Sequence, residues 1–459
     1  MARDVSDSTP IASRDELIAW FESGSKRPDE YRIGTEHEKI PFFRADHAPV
    51  PYGGKEERGG GIRSLLEGMQ AQSGWTPIMD GAHIIGLHDE TGGGAISLEP
   101  GGQFELSGAP VATIHGTKDE LDAHFAALNS VAGPLGIGFL SLGMSPKWHL
   151  GETPIMPKQR YKIMANYMPK VGSRGLDMMF RTSTVQVNLD FSSEADMVKK
   201  LRVSLALQPL ATALFANSPF TEGKLNGFLS ARSEIWRDTD NARAGMLPFA
   251  FEPGMGFERY VDYALDVPMY FVKRGETYRD VTGSSFRDLL TGRLAAFPGE
   301  RATLSDWANH LSTIFPEVRL KRYLEMRGAD TGPMAHLTGL PALFVGLLYD
   351  SAALDAAWEL VKAWSAEERE KLRADVPGLG LEAEIAGRRL RDIARDVLAL
   401  ARAGLGRRDR RDDSGRDEAY FLDPLDAIAA GRTEAEVLIE KYENQWSENV
   451  EPTFELCVY

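Results

Sequence analysis

Cysteine is almost absent from this sequence: its 459 residues contain one, Cys457. A single cysteine excludes an intrachain disulfide and any metal site built from several cysteines. Long apolar runs are lacking too, because the most apolar segment, 340–348, contains Pro341 and falls well short of the roughly 20 residues of a membrane span. The N-terminal segment has acidic residues where a signal peptide needs an apolar stretch. We therefore expect a cytoplasmic protein without a membrane span.

An excess of positive charge is also lacking. The chain has 52 Lys and Arg residues against 67 Asp and Glu, which gives a net charge of −15. Such a chain repels polyanions at long range. We therefore expect neither a nucleic acid nor a membrane as a partner, although a local basic pocket for a phosphate is compatible with this charge.

The order of the sequence patterns indicates an α+β fold. Ser13 and Glu16 form a capping-box pattern, which predicts a first helix. Short alternating runs between glycine clusters then predict strands to about Phe191, and after about Leu340 only helical patterns remain. The predicted units are an N-terminal helix in 1–30, a catalytic sheet domain in 31–350 and a helical C-terminal region in 351–459 packed on the sheet domain.

Four of the predicted strand segments carry carboxylates or amides on a polar face, since same-face residues of a strand are two apart. Each segment alone is compatible with a solvated face or an exposed ion pair of little energetic value. If all four belong to one sheet, their oxygens converge on one cleft, and an all-oxygen ligand set suits Mg²⁺ or Mn²⁺. The candidate metal ligands are Glu36, Glu38, Glu99, Glu105, Gln186 and Glu325.

Basic residues near these strands are candidates for binding the phosphates of a nucleotide, namely Arg327, Arg181 and Lys170. The sequence contains no G-x-x-x-x-G-K-[ST] loop and no G-x-S-x-G elbow. A P-loop is therefore excluded, and a hydrolytic triad has little support.

Several blocks of this sequence resemble the plant and proteobacterial branch of the glutamate–cysteine ligase family. The blocks are 34–39, 97–108, 168–172, 184–191, 215–220, 319–323 and 325–330. The resemblance implies an ATP-dependent ligase that joins the γ-carboxyl of L-glutamate to the amine of L-cysteine through a γ-glutamyl phosphate, the first step of glutathione biosynthesis. It also implies a curved antiparallel sheet funnel of the glutamine synthetase and guanidino-kinase type, with flanking helices.

The same resemblance implies roles for individual residues. The six candidate metal ligands match the family's shell for two or three Mg²⁺ ions, Arg160 and Arg232 match its glutamate-binding arginines, and Arg327 matches a phosphate contact. These three arginines are the candidate catalytic residues. ATP as co-substrate, feedback inhibition by glutathione, and a monomer or homodimer are further expectations from the resemblance. Plant members are regulated through pairs of cysteines, which a chain with only Cys457 cannot form.

Two alternatives share most of these residues. One is a related carboxylate–amine ligase or phosphotransferase with a different amine acceptor, which would have the same metal shell. The other is a non-catalytic Mg-nucleotide-binding protein, which would bind without turnover and gives no reason for the two glutamate-binding arginines.

Overall fold

A computed structural model describes residues 7–53 and 60–459, so residues 1–6 of the predicted N-terminal unit lie outside the described residues. A nine-stranded sheet forms the centre of the molecule. Its strands are β1 (Ile33–Phe43), β2 (Thr76–Asp80), β3 (His83–His88), β4 (Ala95–Leu98), β5 (Phe104–Ser107), β6 (Ile137–Leu140), β7 (Thr184–Leu189), β8 (Val318–Leu320) and β9 (Leu324–Asp330).

The sheet is antiparallel and open. Its strand order is β8-β9-β7-β1-β5-β4-β3-β2, and β6 pairs with the C-terminal half of β1. All pairs within the sheet are antiparallel. Strands that are distant in sequence, such as β1 and β9, are therefore separated only by β7, which brings residues from both ends of the predicted sheet domain together.

Helices surround the sheet. They are α1 (Arg14–Glu22), α2 (Ile62–Ser73), α3 (Ile114–Ala132), α4 (Gln159–Tyr167), α5 (Gly175–Arg181), α6 (Glu194–Leu214), α7 (Ala231–Ile235), α8 (Phe257–Asp266), α9 (Phe286–Leu290), α10 (Leu304–Leu311), α11 (Met334–Leu348), α12 (Ser351–Val361), α13 (Ala366–Leu379), α14 (Leu390–Arg408), α15 (Asp423–Ala430), α16 (Glu434–Asn444) and α17 (Thr453–Leu456). Among the described residues no single helix has the length and apolarity of a membrane span, and α11 and α12 reach them only as a pair bent by 91°.

The main core lies between one face of the sheet and the helices α6 and α11. Both helices are buried on nearly all sides, as expected for helices that contact other elements all round. Helix α6 packs on β9, and α12 and α13 pack in turn on α6, while α14 packs on α11. The other face of the sheet is left for polar side chains. The predicted unit boundaries near residues 30 and 350 stay predictions.

Two sequence-based expectations about secondary structure need correction. The sequence predicts a strand over 97–107 whose ladder is broken at Pro100 and the following glycine pair, as at a bulge or sheet rim. The structure instead has a hairpin of β4 and β5, and Gly102 has a φ of +91° in the turn that joins them. We also expected only helices after about Leu340, with one beginning at Glu382. A hairpin of Glu384–Ile385 and Arg388–Arg389 precedes α14 instead, and its turn has positive φ angles at residues 386 and 387, which a helix does not accommodate.

A buried histidine makes the stability of this fold depend on pH. His310 on α10 stacks on Phe286 and donates from Nε2 to the carbonyl oxygen of Ala264 at 2.8 Å. Burial lowers the pKa of His310 from 6.5 to about 4. Below pH 6.5 the unfolded chain therefore takes up a proton that the folded chain takes up only near pH 4, so this group removes stability as the pH falls through that window.

We predict that His310→Gln flattens this dependence. Between pH 6.5 and 4 the free energy of unfolding of the native protein should fall, relative to the variant, by about 1.4 kcal/mol per pH unit. Urea unfolding at several pH values measures the difference. The exposed His83 provides a matched control, since His83→Gln should keep the native slope. Parallel curves for the native protein and His310→Gln would contradict the prediction.

Candidate active site

The polar face of the sheet collects side chains from β1, β5, β7 and β9. Glu38 on β1 lies opposite Glu105 on β5, and Glu36 lies opposite Gln186 on β7. Glu325 on β9 lies opposite Asn188, which is two positions after Gln186 on β7. Because directly opposed residues project to the same face of a sheet, the register places these five predicted ligands on one surface.

The carboxylates of β1 repel their acidic neighbours. Burial raises the pKa of Glu38 well above its usual range, and the charges of Glu99 and Glu105 raise it further. Burial also raises the pKa of Glu36, with contributions from Glu325 and Glu105. These groups are costly to ionise together unless a cation lies among them.

Two amide oxygens on this surface lack hydrogen bonds. Gln186 Oε1 and Asn188 Oδ1 are buried without a hydrogen-bond partner among the described residues, while Nδ2 of Asn188 donates to Glu36 Oε1 at 2.8 Å. Unsatisfied oxygens beside carboxylates fit a hard cation such as Mg²⁺. Within the described part of the chain, no three His, Cys, Asp or Glu side chains lie close enough to hold an ion as they stand, so side-chain rotation would have to bring the ligands together.

Glu325 is surrounded by cations instead. Arg319 donates to both of its carboxylate oxygens, at 2.6 and 2.8 Å, and Lys321 and Arg327 each lie 3.1 Å from it. Burial alone would raise the pKa of Glu325, but these three cations hold it well below its usual range. Three buried cations around one carboxylate leave an excess of positive charge at this end of the polar face, which favours an anion.

Arg319 and Lys321 were not predicted as site residues. They lie in one of the sequence blocks that carry the family resemblance, but that block alone assigns them no contact. The signal that would have found them is the register, since Arg319 lies opposite Glu325 on the antiparallel neighbour β8.

A cavity over the centre of the polar face brings most of the predicted residues together. Its wall has an apolar part on the side of α4 and α5, which includes Met164, Met178 and Met179. Its polar part includes six predicted residues: Glu38, Glu99, Gln186, Arg160, Arg232 and Arg327.

The two predicted glutamate-binding arginines reach this cavity from different helices. Arg160 lies on the first turn of α4, with its guanidinium over the ring of Phe271. Arg232 lies on α7, is 2% exposed, and donates from Nη2 to the carbonyl oxygen of Arg327 at 2.9 Å. Its Nη1 has no hydrogen-bond partner among the described residues. A buried guanidinium nitrogen without a partner fits a carboxylate ligand.

Lys170 and Arg181 do not line this cavity. Lys170 is exposed at the end of a short 3-10 helix, Met168–Lys170. Arg181 is buried, but its guanidinium binds Asp177 and Glu222, so its charge is already compensated within the protein. Their placement gives no support to the prediction that they bind ATP phosphates.

A larger cavity of about 660 Å³ lies between the β2–β3 edge and the hairpin 271–280. Lys158, just before α4, contributes to its wall, whereas none of the predicted site residues does. The predicted site is therefore distinct from this more open space.

Comparison with known proteins identifies the family. The model of glutamate–cysteine ligase family 2 matches residues 32–455 of this chain. The chain belongs to that family. The predicted family, enzyme class and activity, an ATP-dependent ligation of glutamate and cysteine in glutathione synthesis, are thereby confirmed.

Plant members of the family are similar over nearly the whole chain. A chloroplastic glutamate–cysteine ligase of Nicotiana tabacum is 54% identical over 448 residues, which cover 97% of this chain and 83% of that protein. The enzyme of Arabidopsis thaliana, also named chloroplastic, is 54% identical over 453 residues, which cover 98% and 84%. The expectation of a cytoplasmic location is wrong by this comparison, because close relatives are named as plastid proteins.

A solved structure confirms the predicted fold. The glutamate–cysteine ligase of Francisella tularensis, determined in complex with AMP, has a TM-score of 0.55 and 13% sequence identity, and the match covers 94% of this chain and 88% of that one. The α+β class and the antiparallel sheet of the glutamine synthetase type are thus confirmed, with the sheet open at β8 and β2.

The cations around Glu325 lead to a prediction about stability. Glu325→Gln should lower the free energy of unfolding of the ligand-free protein by about 3–5 kcal/mol, because it leaves buried cations uncompensated. Denaturant unfolding measures this loss. An exposed pair gives the control: Glu258, which binds Arg14, should cost less than about 1 kcal/mol when changed to Gln. A loss for Glu325→Gln no larger than that of the control would contradict the prediction.

Proposed function

We propose that the central cavity is where this glutamate–cysteine ligase forms its γ-glutamyl phosphate and its amide bond. The observation that carries the proposal is the separation of charge on the polar face. Carboxylates are concentrated on β1 and β5, an excess of cations surrounds Glu325, and Arg160 and Arg232 enter between them from the helices.

The reaction explains why both charges are needed. A carboxylate is a poor electrophile, so ATP must first convert the γ-carboxylate of glutamate into an acyl phosphate. This step brings two anions together, and positioned cations must offset their repulsion. The free amine of cysteine then attacks the acyl carbon, and inorganic phosphate leaves as the amide forms.

The arginines of the cavity bind the anionic groups of the substrates in this proposal. Arg160 and Arg232 bind glutamate carboxylate oxygens, because a planar guanidinium can donate two parallel hydrogen bonds. Arg327 binds the transferred phosphoryl group, with Arg319 and Lys321 behind it as buried positive charge. This assignment replaces Lys170 and Arg181, which lie elsewhere.

Mg²⁺ is the proposed metal, with Mn²⁺ as an alternative. Bound there, the ions would neutralise phosphate charge and orient the nucleotide. The residues proposed to hold two or three ions are Glu36, Glu38, Glu99, Glu105, Gln186 and Glu325. Glu325 would have to exchange part of its arginine and lysine contacts for a metal ion. Serine hydroxyls orient the neighbouring ligand, since those of Ser97 and Ser107 both donate to Glu105.

ADP release by the purified protein tests the proposal. With Mg·ATP and glutamate, ADP release should require cysteine and should yield γ-glutamylcysteine. Release with another amine but not with cysteine would indicate a related carboxylate–amine ligase, and nucleotide binding without release would indicate a non-catalytic protein. Either result would overturn the proposal.

Glu38→Gln should abolish turnover while the protein stays folded. The substitution keeps the size of the side chain but removes a charged ligand from the centre of the proposed metal site. Circular dichroism should be unchanged, and Mn²⁺ binding measured by electron paramagnetic resonance should weaken.

A carboxyl group outside the site provides the control for Glu38→Gln. Glu120 on α3 is largely buried, accepts a hydrogen bond from the amide of Ala109, and has a pKa raised by burial to about 7. Glu120→Gln should retain turnover and Mn²⁺ binding. Full activity of Glu38→Gln would remove that residue from the proposed metal site.

Feedback inhibition by glutathione and a monomeric or homodimeric state come from the family resemblance and stay predictions. Titration of glutathione against ADP release tests the first, and light scattering of the purified protein tests the second.

A further inference from the structure

Asp330, at the end of β9, is a buried carboxylate with no substrate contact in the proposed mechanism. It is 0% exposed. Its Oδ2 accepts from the amide of Asn217 at 2.9 Å and from the hydroxyl of Ser218 at 2.7 Å, and its Oδ1 accepts from the hydroxyl of Ser230 at 2.8 Å. Asp330 therefore joins β9 to two segments that are distant from it in sequence.

Both serine hydroxyls also contact α7, the helix that carries Arg232. Ser230 is the N-cap of α7 and accepts from the amide of Ser233 at 3.2 Å. Ser218 accepts from the amide of Arg232 itself at 3.2 Å. A hydroxyl has one proton to donate. Because the hydroxyls of Ser218 and Ser230 both donate to Asp330, their oxygen lone pairs remain to accept from the amides of Arg232 and Ser233 on α7.

Helix α7 depends on such contacts for its position. It has only five residues, and a helix of that length has no stability of its own. The side chain of Arg232 is fixed to the same strand, because Nη2 donates to the carbonyl oxygen of Arg327. The backbone and the guanidinium of Arg232 are thus both tied to β9, the backbone through Asp330.

The surroundings of Asp330 leave room for this carboxylate and give it neutral hydrogen-bond donors. A Cβ atom at Gly143 would lie 2.5 Å from Cγ of Asp330. The backbone at residue 143 can therefore approach the Asp330 side chain this closely only because residue 143 is glycine. Burial raises the pKa of Asp330, and the nearby charge of Arg232 offsets only part of that rise. Burial of a carboxylate held only by neutral donors is costly, so a purely structural role would be served more cheaply by a neutral side chain.

We propose that Asp330 is a positioning residue that holds Arg232 for binding the glutamate carboxylate. The inference rests on the proposed role of Arg232. Through the hydroxyls of Ser218 and Ser230, Asp330 sets the position of α7 relative to β9, and hence the distance between the Arg232 guanidinium and Arg327.

Asp330→Asn is the direct test. Asparagine has an acceptor at only one of the two oxygen positions of Asp330. If its oxygen faces Asn217 and Ser218, its NH2 group faces Ser230, whose hydroxyl must turn its proton away and loses its orientation toward the amide of Ser233. In the other orientation the hydroxyl of Ser218 and the amide of Arg232 are affected in the same way. We expect the KM for glutamate to rise about tenfold or more, since small misplacements of a binding group have effects of this size. The KM for ATP should stay within about twofold of the native value.

Arg232→Ala, alone and combined with Asp330→Asn, completes a double-mutant cycle. If Asp330 acts through Arg232, the double variant should bind glutamate no more weakly than Arg232→Ala alone. Calorimetric titration with glutamate gives this comparison even for variants without turnover. Glu418→Gln is the matched control: Glu418 is also 0% exposed and accepts from the amide of Ile114, and its loss should lower thermal stability but leave glutamate binding unchanged.

Several results would overturn the inference and can be told apart from failure of the proposed function. Unchanged glutamate binding in Asp330→Asn, together with weakened binding in Arg232→Ala, would remove Asp330 from this role. The same conclusion would follow if the losses of glutamate affinity in the two single variants multiplied in the double variant. Unchanged binding in Arg232→Ala would instead refute the proposed role of Arg232. If Asp330→Asn does not fold, Ser218→Ala removes the acceptor of the Arg232 amide directly and should also raise the glutamate KM.

Discussion

Repulsion between carboxylates on the polar face of the sheet is the constraint on which the site depends. Glu38 and Glu105 lie opposite each other on neighbouring strands, and Glu36 follows on the same face. Arg232 and the amide of Thr184 offset the charge of Glu38 only in part, so its pKa stays raised by burial and by its acidic neighbours. Such an arrangement costs folding free energy and is compensated only when cations are bound. The carboxylates on the polar face of the sheet therefore favour the binding of a cation and do not stabilise the ligand-free fold.

The opposite end of the same face has the reverse imbalance. Glu325 is bound by Arg319, Lys321 and Arg327, so positive charge exceeds negative charge there. An acidic part that requires cations and a basic part that requires anions suit a metal–nucleotide complex, which presents both. The two parts are brought together by the strand order, in which β7 lies between β1 and β9.

Local sequence patterns predicted the strands β1, β7 and β9 of the site but not their register. The alternation in β1 and β7 predicted which side chains share a face, and the structure places Glu36, Glu38 and Gln186 accordingly. Pairing between distant segments leaves no local signal, which is why the contact of Arg319 with Glu325 was missed. The prediction for Arg181 lacks support for a related reason. Its partner Glu222 is distant in sequence, so the sequence does not show that the charge of Arg181 is compensated within the protein.

The family resemblance, rather than the local patterns, led to the prediction that Arg160 on α4 and Arg232 on α7 act together, and the structure places both at one cavity. Neither helix is long, and the positions of both arginines depend on contacts with the sheet and its loops. Arg232 donates to a strand carbonyl next to the cation cluster, and its amide depends on hydroxyls that Asp330 orients. A guanidinium that must meet a carboxylate in a fixed geometry gains little from its own flexible side chain. The position of the Arg232 guanidinium is instead fixed by buried polar groups, among them Asp330. Burying these groups costs folding free energy, and we therefore expect them to serve ligand binding.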